Sequence, residues 1–183
     1  GDYFFDEPYA YSTGQSINDA DRKYQGMITL RKGLIGSRNV TALQAFQKVA
    51  AKDQSLIENF VHSVGINYGS ALYESASIGG FNGTNPLEMS AAYAVFGRGG
   101  YYIKPYSFTK VIFEDGTTYE NKYTKEKVIS EETSYMITNV LVDTVRDSWS
   151  GSINISGTEV AGKTGTTNLD TATQKAQNLP AGL

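Results

Sequence analysis

The chain has 183 residues, of which 40% are apolar and 19% charged, and its net charge is −3. This length suits one domain with its own core, and a chain without a basic excess is not expected to bind nucleic acid. There is no cysteine and a single histidine, His62. Disulfides, thiolate metal sites and sites built on two histidines are therefore excluded, and we expect neither a metal nor a cofactor.

Apolar stretches are short throughout the sequence. None approaches the roughly 18 consecutive apolar residues that span a bilayer, and no basic-then-apolar leader is present. The sequence starts with Gly1 rather than with Met. We interpret the chain as a piece of a longer protein whose targeting and anchoring signals lie upstream.

The first third of the chain is predicted to be extended and then helical. Residues 1–25 are aromatic and polar without a sustained period, which indicates short extended segments and loops. Thr29 can cap the first helix and Gly36 can end it, whereas the next two helices rest on apolar residues at helical spacing. The predicted helices cover residues 27–36, 41–52 and 55–65.

The remainder alternates loops, helices and strands. A loop rich in Gly, Ser and Asn covers 66–85, and a strong helix with Pro86 in its first turn follows. Asp115-Gly116 interrupts a β-branched run and predicts a hairpin. The expected elements are a helix over 85–100, the hairpin within 104–120, a helix over 130–146 and a strand over 159–167. This order predicts a mixed α/β (α+β) domain.

One candidate for chemistry is Lys163-Thr164-Gly165-Thr166, on the last predicted strand. Gly165 lets another backbone approach, and an exposed edge strand can pair with an extended ligand. The two hydroxyls and the lysine suit a ligand carboxylate, and a backbone N–H there could stabilise an oxyanion. The alternative is a solvated lysine beside a glycine bulge.

A second candidate is Ser37-Arg38-Asn39, between two predicted helices. Ser37 offers a hydroxyl relay and Asn39 an amide that can hold a peptide carbonyl, although either could simply cap a helix. Lys163 follows Ser37 by 163 − 37 = 126 positions. Ser-x-Asn between helices, followed by Lys-Thr-Gly on a strand, matches two of the three signatures of penicillin-interacting serine enzymes.

Longer stretches carry the resemblance further. GMITLRKGLIGSRNVTA, ASIGGFNGTNPLEMSAAYAVFGRGGYYIKPYSFTKV and VAGKTGTTN resemble the transpeptidase domain of penicillin-binding proteins, most of all the bifunctional class A enzymes. The resemblance runs from about residue 24 to 168. It implies a serine β-lactamase-like fold, with an antiparallel sheet flanked by helices plus a helical subdomain, incomplete in this chain. Residues 1–183 would form a partial domain, with its helical part at 26–100 and the hairpin, helix and Lys-Thr-Gly strand at 101–170.

The resemblance also implies roles for the site residues. Ser37 would shuttle protons, Asn39 would hold the peptide group of the substrate, and Lys163 would belong to the third motif with Gly165. Thr164 and Thr166 would hold a carboxylate, and the Thr166 N–H would be an oxyanion donor. The implied partners are a peptidoglycan stem peptide ending in D-Ala-D-Ala and β-lactam antibiotics. The implied location is the extracytoplasmic face of the bacterial cell membrane.

The sequence departs from this family at the nucleophile. Residues 1–36 contain no Ser-x-x-Lys motif, and the one at Ser107–Lys110 is predicted to be a strand and comes after Ser-x-Asn. In a strand, residues three apart face opposite sides. We therefore expect missing segments of the same domain, on the same polypeptide or on another chain, to supply the nucleophile and the closing strands, and we expect this chain alone to be inactive.

Other readings remain open. The parent could be a β-lactamase or a β-lactam sensor, or a relative that binds cell-wall peptide without turning it over. His62 is predicted to be a helix-surface or half-buried residue rather than a base. Trp149 could pack over a cleft or lie at a loop tip, and the tyrosines could form a glycan-binding surface or simply be half-buried.

Overall fold

The computed structural model describes residues 2–69, 71–81, 83–148, 153, 155–165 and 175–177. The helices are α1 (Leu30–Ile35), α2 (Asn39–Ala50), α3 (Ser55–Ser63), α4 (Pro86–Gly97) and α5 (Glu131–Ser148), with a 3₁₀ helix at Glu74–Ile78. The strands are β1 (Tyr3–Asp6), β2 (Tyr9–Ala10), β3 (Ser16–Ile17), β4 (Gly26–Thr29), β5 (Tyr101–Tyr102), β6 (Lys110–Ile112), β7 (Thr118–Glu120) and β8 (Glu126–Lys127). In this part of the chain no helix is long and apolar enough to cross a membrane.

Strands pair only in twos within the described residues. The antiparallel ladders are β1–β4, β2–β3, β5–β8 and β6–β7. In the first ladder Tyr3 lies opposite Thr29 and Asp6 opposite Gly26. The mixed class of helices and antiparallel strands is therefore confirmed, and the sheet appears here as short ladders.

The first helix begins later than predicted. Residues 27–29 belong to β4, because they pair with β1, and α1 starts only at Leu30. The predicted cap is confirmed, since the Lys32 N–H donates to Thr29 Oγ1 at 3.2 Å. Gly36 ends the helix as expected. Local periodicity could not separate the two elements because the strand pairing is a tertiary contact.

Helices α1 and α2 approach each other closely at Gly33. A Cβ on Gly33 would lie 2.4 Å from Thr41 Oγ1 of α2. A helix-interior glycine costs about 1 kcal/mol relative to alanine, and here it permits this close packing. Behind the contact, Val40 and Leu43 of α2 form a buried cluster with Ile17. The sharp turn between the helices is held by packing on both sides.

The second half of the fold is organised around α4 and α5. Asn85 caps α4, and its side chain accepts from the Glu88 N–H at 3.0 Å. Pro86 occupies the first turn of this helix, as predicted. The Ser130 hydroxyl accepts from the Thr133 N–H at 3.1 Å, which confirms the predicted cap of α5. A second buried cluster contains Val64, Ile66, Ala92 and Val95.

Helix α5 contacts both α4 and α1. The hydroxyls of Ser134 and Thr138 donate to the Phe96 carbonyl at 2.6 and 2.9 Å. On its other side, Arg31 of α1 donates to Asn139 Oδ1 at 2.7 Å and pairs with Asp143. Through these bonds α5 connects the two halves of the molecule.

The predicted hairpin is confirmed as β6–β7, with Gly116 in the turn at φ 82°. Ser107 lies exposed at a bend just before β6, and Lys110 on that strand has its ammonium 3.9 Å from the Glu120 carboxylate. Ser107 and Lys110 are not on one helix face. The Ser-x-x-Lys spelling here therefore lacks the geometry in which lysine activates serine.

The predicted strand over 159–167 is not formed in its described part. Residues 159–165 pair with no strand there, and the nearest β feature is an isolated bridge between Ile155 and Thr158. Instead, the Gly162 N–H donates to the Leu141 carbonyl of α5 at 3.2 Å. A strand requires a neighbour to pair with, which local composition cannot supply. Thr166 lies outside the described residues.

Candidate active site

Ser37 lies in the turn that ends α1. The Ser37 N–H donates to the Leu34 carbonyl at 3.2 Å, and the Arg38 N–H donates to the Gly33 carbonyl at 2.9 Å. This pair of bonds is a Schellman helix end, in which the residue at Ser37's position is usually glycine in the left-handed region. Ser37 adopts that conformation, with φ 52°.

A serine in this conformation is strained. A residue other than glycine held in a sparsely populated backbone region costs about 1–3 kcal/mol. Such strain persists only where the surroundings impose it, and it is concentrated at functional sites. The side chain of Ser37 is exposed, so the strained turn presents the hydroxyl on the molecular surface.

Lys163 meets this hydroxyl from the far end of the chain. Its Nζ donates to Ser37 Oγ at 2.8 Å and lies 3.3 Å from both the Oγ1 and the carbonyl oxygen of Thr164. An amine and a hydroxyl in direct contact form a proton relay, since the hydroxyl can pass on a proton that it recovers from the amine. The structure therefore brings together two of the residues predicted from sequence.

Partial burial lowers the pKa of Lys163 below its usual value. Desolvation disfavours the charged ammonium form, and no carboxylate counters it among the causes of the shift. A lysine with a lowered pKa gives up its proton more readily than an ordinary surface lysine. This favours proton delivery through Ser37.

Asn39 is the first residue of α2, half-buried and two positions from Ser37. Its side-chain amide donates to the Asn18 carbonyl at 2.9 Å, whereas the described hydrogen bonds of Lys163 go to Ser37 and Thr164. Asn39 is thus next to the relay without bonding to its lysine. Thr164 and Gly165 are exposed, as suits residues that would face a ligand.

Sequence reasoning missed Arg38, the middle residue of the motif. Its guanidinium is buried and donates to Asp6 at 2.9 Å, to Asp19 at 3.0 Å and to Asp21 at 2.9 Å. It also donates to the Lys23 carbonyl. Its three partners Asp6, Asp19 and Asp21 lie in the N-terminal segment, which has no sustained period. Nothing local in the sequence shows that these aspartates share one arginine.

Asp19 joins this cluster to the start of α2. One of its oxygens accepts from Arg38, and the other accepts from the backbone N–H groups of Asn39 and Val40. A carboxylate at a helix N-terminus satisfies N–H groups that otherwise lack partners. Burial, followed by the neighbouring Asp6, raises the pKa of Asp19 above its ordinary value. Hydrogen bonds therefore fix Asp19 at a position where burial and Asp6 disfavour its charged form.

His62 takes no part in this site. His62 is an exposed residue of α3 and stacks on Tyr68 with a centroid distance of 4.5 Å, in line with the predicted helix-surface histidine. Trp149 lies outside the described residues. Within the part of the chain that is described, no group of three His, Asp or Glu side chains could hold a metal ion.

Comparison with known proteins identifies the family of this chain. The family model of the penicillin binding protein transpeptidase domain matches residues 1–180. Penicillin-binding protein 1A/1B of Bacillus subtilis is 39% identical over 97% of this chain, which spans 20% of that protein. Penicillin-binding protein 1A of Streptococcus pneumoniae is 34% identical over 89% of this chain, which spans 23% of it.

Solved structures agree on the fold. Penicillin-binding protein 1A of Haemophilus influenzae superposes with a TM-score of 0.77 at 24% identity, covering 91% of this chain and 31% of that one. The ceftriaxone acyl-enzyme complex of penicillin-binding protein A from Mycobacterium tuberculosis gives 0.79 at 17% identity, covering 93% and 43%. From the family match and the curated relatives, the chain belongs to the penicillin-binding protein transpeptidase domain family.

Proposed function

We propose that this chain supplies the proton relay and the carboxylate-binding segment of a serine D,D-transpeptidase that cross-links peptidoglycan stem peptides and is acylated by β-lactams. The observation that carries the proposal is the hydrogen bond from Lys163 Nζ to Ser37 Oγ, 2.8 Å long between residues 126 positions apart. A contact at that sequence separation is tertiary, so local structure alone cannot produce it. It joins the two motifs whose chemistry is complementary.

In the proposed acylation step, a serine supplied by another part of the parent protein attacks the carbonyl carbon of the D-Ala-D-Ala amide or of the β-lactam. As the C–N bond breaks, the departing nitrogen takes a proton from the Ser37 hydroxyl. Ser37 recovers a proton from the Lys163 ammonium, whose lowered pKa favours the transfer. The attacking serine gives its own proton to a base supplied with it, and an amine of a second strand then resolves the ester.

Substrate binding would use the residues around this relay. Thr164, with Thr166 beyond the described residues, would hold the terminal carboxylate through hydroxyl donors, next to the positive charge of Lys163. The Thr166 N–H would be one oxyanion donor. Asn39 would turn its amide to the peptide group, since its present acceptor is a single backbone carbonyl, that of Asn18. Gly165 would leave room for the ligand backbone.

The site would belong to a membrane-anchored parent at the extracytoplasmic face of a bacterial cell, where peptidoglycan is found. The nucleophile and the strands that complete the sheet would come from other segments of that parent. The chain alone would then perform no acylation, because covalent catalysis requires a nucleophile within reach of its base.

The test is acylation of the intact parent by a fluorescent penicillin. Ser37→Ala and Lys163→Ala should each lower the second-order acylation constant by about 10²–10⁴, the range of a general acid–base contribution. Ser107→Ala, which removes the hydroxyl of the Ser-x-x-Lys sequence at Ser107–Lys110, should leave the acylation constant unchanged. An unchanged acylation constant for the Lys163→Ala parent, with its fold intact, would refute the relay.

A second experiment separates the alternatives. The isolated 183-residue chain should give no covalent adduct by intact mass, and the parent should give a slowly hydrolysed one. Rapid turnover of the adduct would instead indicate a β-lactamase. A parent that binds stem peptide without forming an adduct would indicate a non-catalytic binding protein.

A further inference from the structure

We propose that Arg38 is a positioning residue, whose buried side chain holds Ser37 and Asn39 in the orientation that the relay requires. This inference rests on the proposed function above and adds a residue to it. Arg38 itself points away from the relay, into a cluster with Asp6, Asp19 and Asp21. It would act through its two neighbours rather than by touching substrate.

The first argument is geometric. Arg38 is connected by hydrogen bonds to Asp6 at the end of β1 and to the segment between β3 and β4, where Asp19, Asp21 and the Lys23 carbonyl lie. Its side chain thus fixes the middle of the three-residue motif to two separate elements. With the middle residue fixed inward, the residues on either side are left to present their side chains outward, as the exposed Ser37 does.

Asp19 extends the same restraint to Asn39. Its Oδ2 accepts from Arg38 Nη2 at 3.0 Å, and its Oδ1 accepts from the N–H groups of Asn39 and Val40. The residue after Arg38 is therefore held through its backbone by the carboxylate that holds the guanidinium. A shift of Arg38 would be transmitted to the first turn of α2.

The second argument is the strain at Ser37. Its φ of 52° is one that a serine rarely adopts, and the Schellman bonds alone usually accompany glycine there. Ser37 is bonded directly to Arg38, so releasing the guanidinium would let the turn relax toward a commoner conformation. The Ser37 Oγ would then leave hydrogen-bond range of Lys163.

The third argument is that the cluster is a poor way to gain stability. Three carboxylates surround one guanidinium, and Asp6 Oδ1 is buried without a hydrogen-bond partner. Buried ion pairs are often no better for stability than well-packed apolar side chains. Fixing one conformation is a better account of this cluster, since its arginine stands in the sequence between the two residues of the candidate site.

The test compares Arg38→Lys with Arg146→Lys in the intact parent. Both changes keep the charge and lose the guanidinium fork, but Arg146 is an exposed residue of α5 paired with Asp143 and Asp147. Measured well below the unfolding temperature, Arg38→Lys should lower the acylation constant about 10-fold or more. Arg146→Lys should leave it within about 2-fold.

A double-mutant cycle distinguishes positioning from a general structural effect. In a Ser37→Ala/Asn39→Ala background, Arg38→Lys has no side chains left to position, so its effect should shrink to less than about 2-fold. An undiminished effect in that background would overturn the inference. So would a wild-type acylation constant for Arg38→Lys.

Asp19→Asn provides a second variant in case Arg38→Lys does not fold. Asparagine keeps an oxygen for the α2 N–H groups but loses the charged bond to Arg38. We expect a loss of acylation of about 3- to 10-fold, with Asp147→Asn, which also loses an arginine partner, as the unchanged control. No loss for Asp19→Asn would count against the inference. A wild-type acylation constant for the Ser37→Ala/Asn39→Ala variant itself would refute the proposed function and, with it, the inference about Arg38.

Discussion

The two halves of the candidate site are held in different ways. The Ser37 half rests on the buried Arg38 cluster, on a Schellman helix end and on close packing at Gly33. The Lys163 half is an exposed or half-buried segment without strand pairing among the described residues, joined to α5 through the Gly162 N–H. The Ser37 half is thus fixed by its own tertiary contacts, whereas the Lys163 half is positioned by contacts with α5 and with Ser37.

This difference separates stability from activity. Changes around Ser37 should affect both, because the same groups fix the turn and present the hydroxyl. Changes around Lys163 should affect activity with little effect on stability, because few described contacts depend on them.

Replacing Arg38 with methionine should have the largest effect. The change leaves Asp6 and Asp19 buried without their cation, and breaking a buried pair in this way costs about 3–5 kcal/mol. Thermal unfolding of the intact parent should show this domain strongly destabilised. Arg146→Met, at an arginine that is 67% exposed, should cost at most about 1 kcal/mol. Equal losses for the two variants would mean that the buried cluster contributes no more stability than an exposed ion pair.

Gly33→Ala should come next. The added methyl would lie 2.4 Å from Thr41 Oγ1, and overpacking of this kind costs about 1–3 kcal/mol. Gly97 at the end of α4 has nothing within 4 Å of such a methyl, so Gly97→Ala should be neutral or slightly stabilising. Combining Gly33→Ala with Thr41→Ala should restore part of the stability measured by chemical denaturation. A neutral Gly33→Ala would mean that the turn is not held by this packing.

Ser37→Gly should uncouple stability from activity. Glycine accepts the left-handed conformation without strain, so the free energy of unfolding should rise by about 0.5–1 kcal/mol. Acylation should fall as for Ser37→Ala, since the hydroxyl is lost. Arg22, at φ 54°, is the matched control, and Arg22→Gly should stabilise without changing acylation. A destabilised Ser37→Gly would contradict the assignment of strain.

The smallest effect concerns pH and Lys163. Its pKa is lowered in the folded state by burial, so the unfolded chain binds more protons between that lowered pKa and the ordinary value of 10.5. Stability should therefore rise with pH across this window, as the buried ammonium becomes neutral. A Lys163→Gln variant should lack that rise, whereas the exposed-residue control Lys122→Gln should keep it. The measurement is chemical denaturation at a series of pH values, and a fall through this window would contradict the predicted sign.

Much of the fold could be predicted from the sequence. The caps at Thr29 and Ser130, Pro86 in the first turn of α4 and the turn at Gly116 were identified correctly because each is a local bond or a local dihedral preference. Where the prediction failed, the structure is determined by a contact between residues that lie far apart in the sequence. Residues 27–29 became strand through pairing with β1, and α2 begins at Asn39, two residues earlier than expected, with Asp19 accepting from its first N–H groups.

The candidate site likewise contains residues that the sequence could predict and one that it could not. Ser37, Asn39 and Lys163 could be proposed because their residue types and order match a recognisable pattern. Arg38 could not, because nothing local distinguishes a buried arginine in a helix–helix turn from a solvated one. Its three aspartates lie 17 to 32 positions away, and only the folded chain reveals that they share it.

The spacing of these contacts also sets an order in time during synthesis. The hydrogen bonds of the Arg38 cluster join residues 6–40, and the Gly33 contact adds only Thr41, so every group that holds the turn is made early in synthesis. Lys163 is made 126 positions after Ser37, which at 5–20 residues per second is roughly 6–25 s later. The nascent chain thus contains every group of the Arg38 cluster before Lys163 exists, so the cluster can form first and Lys163 can join Ser37 later.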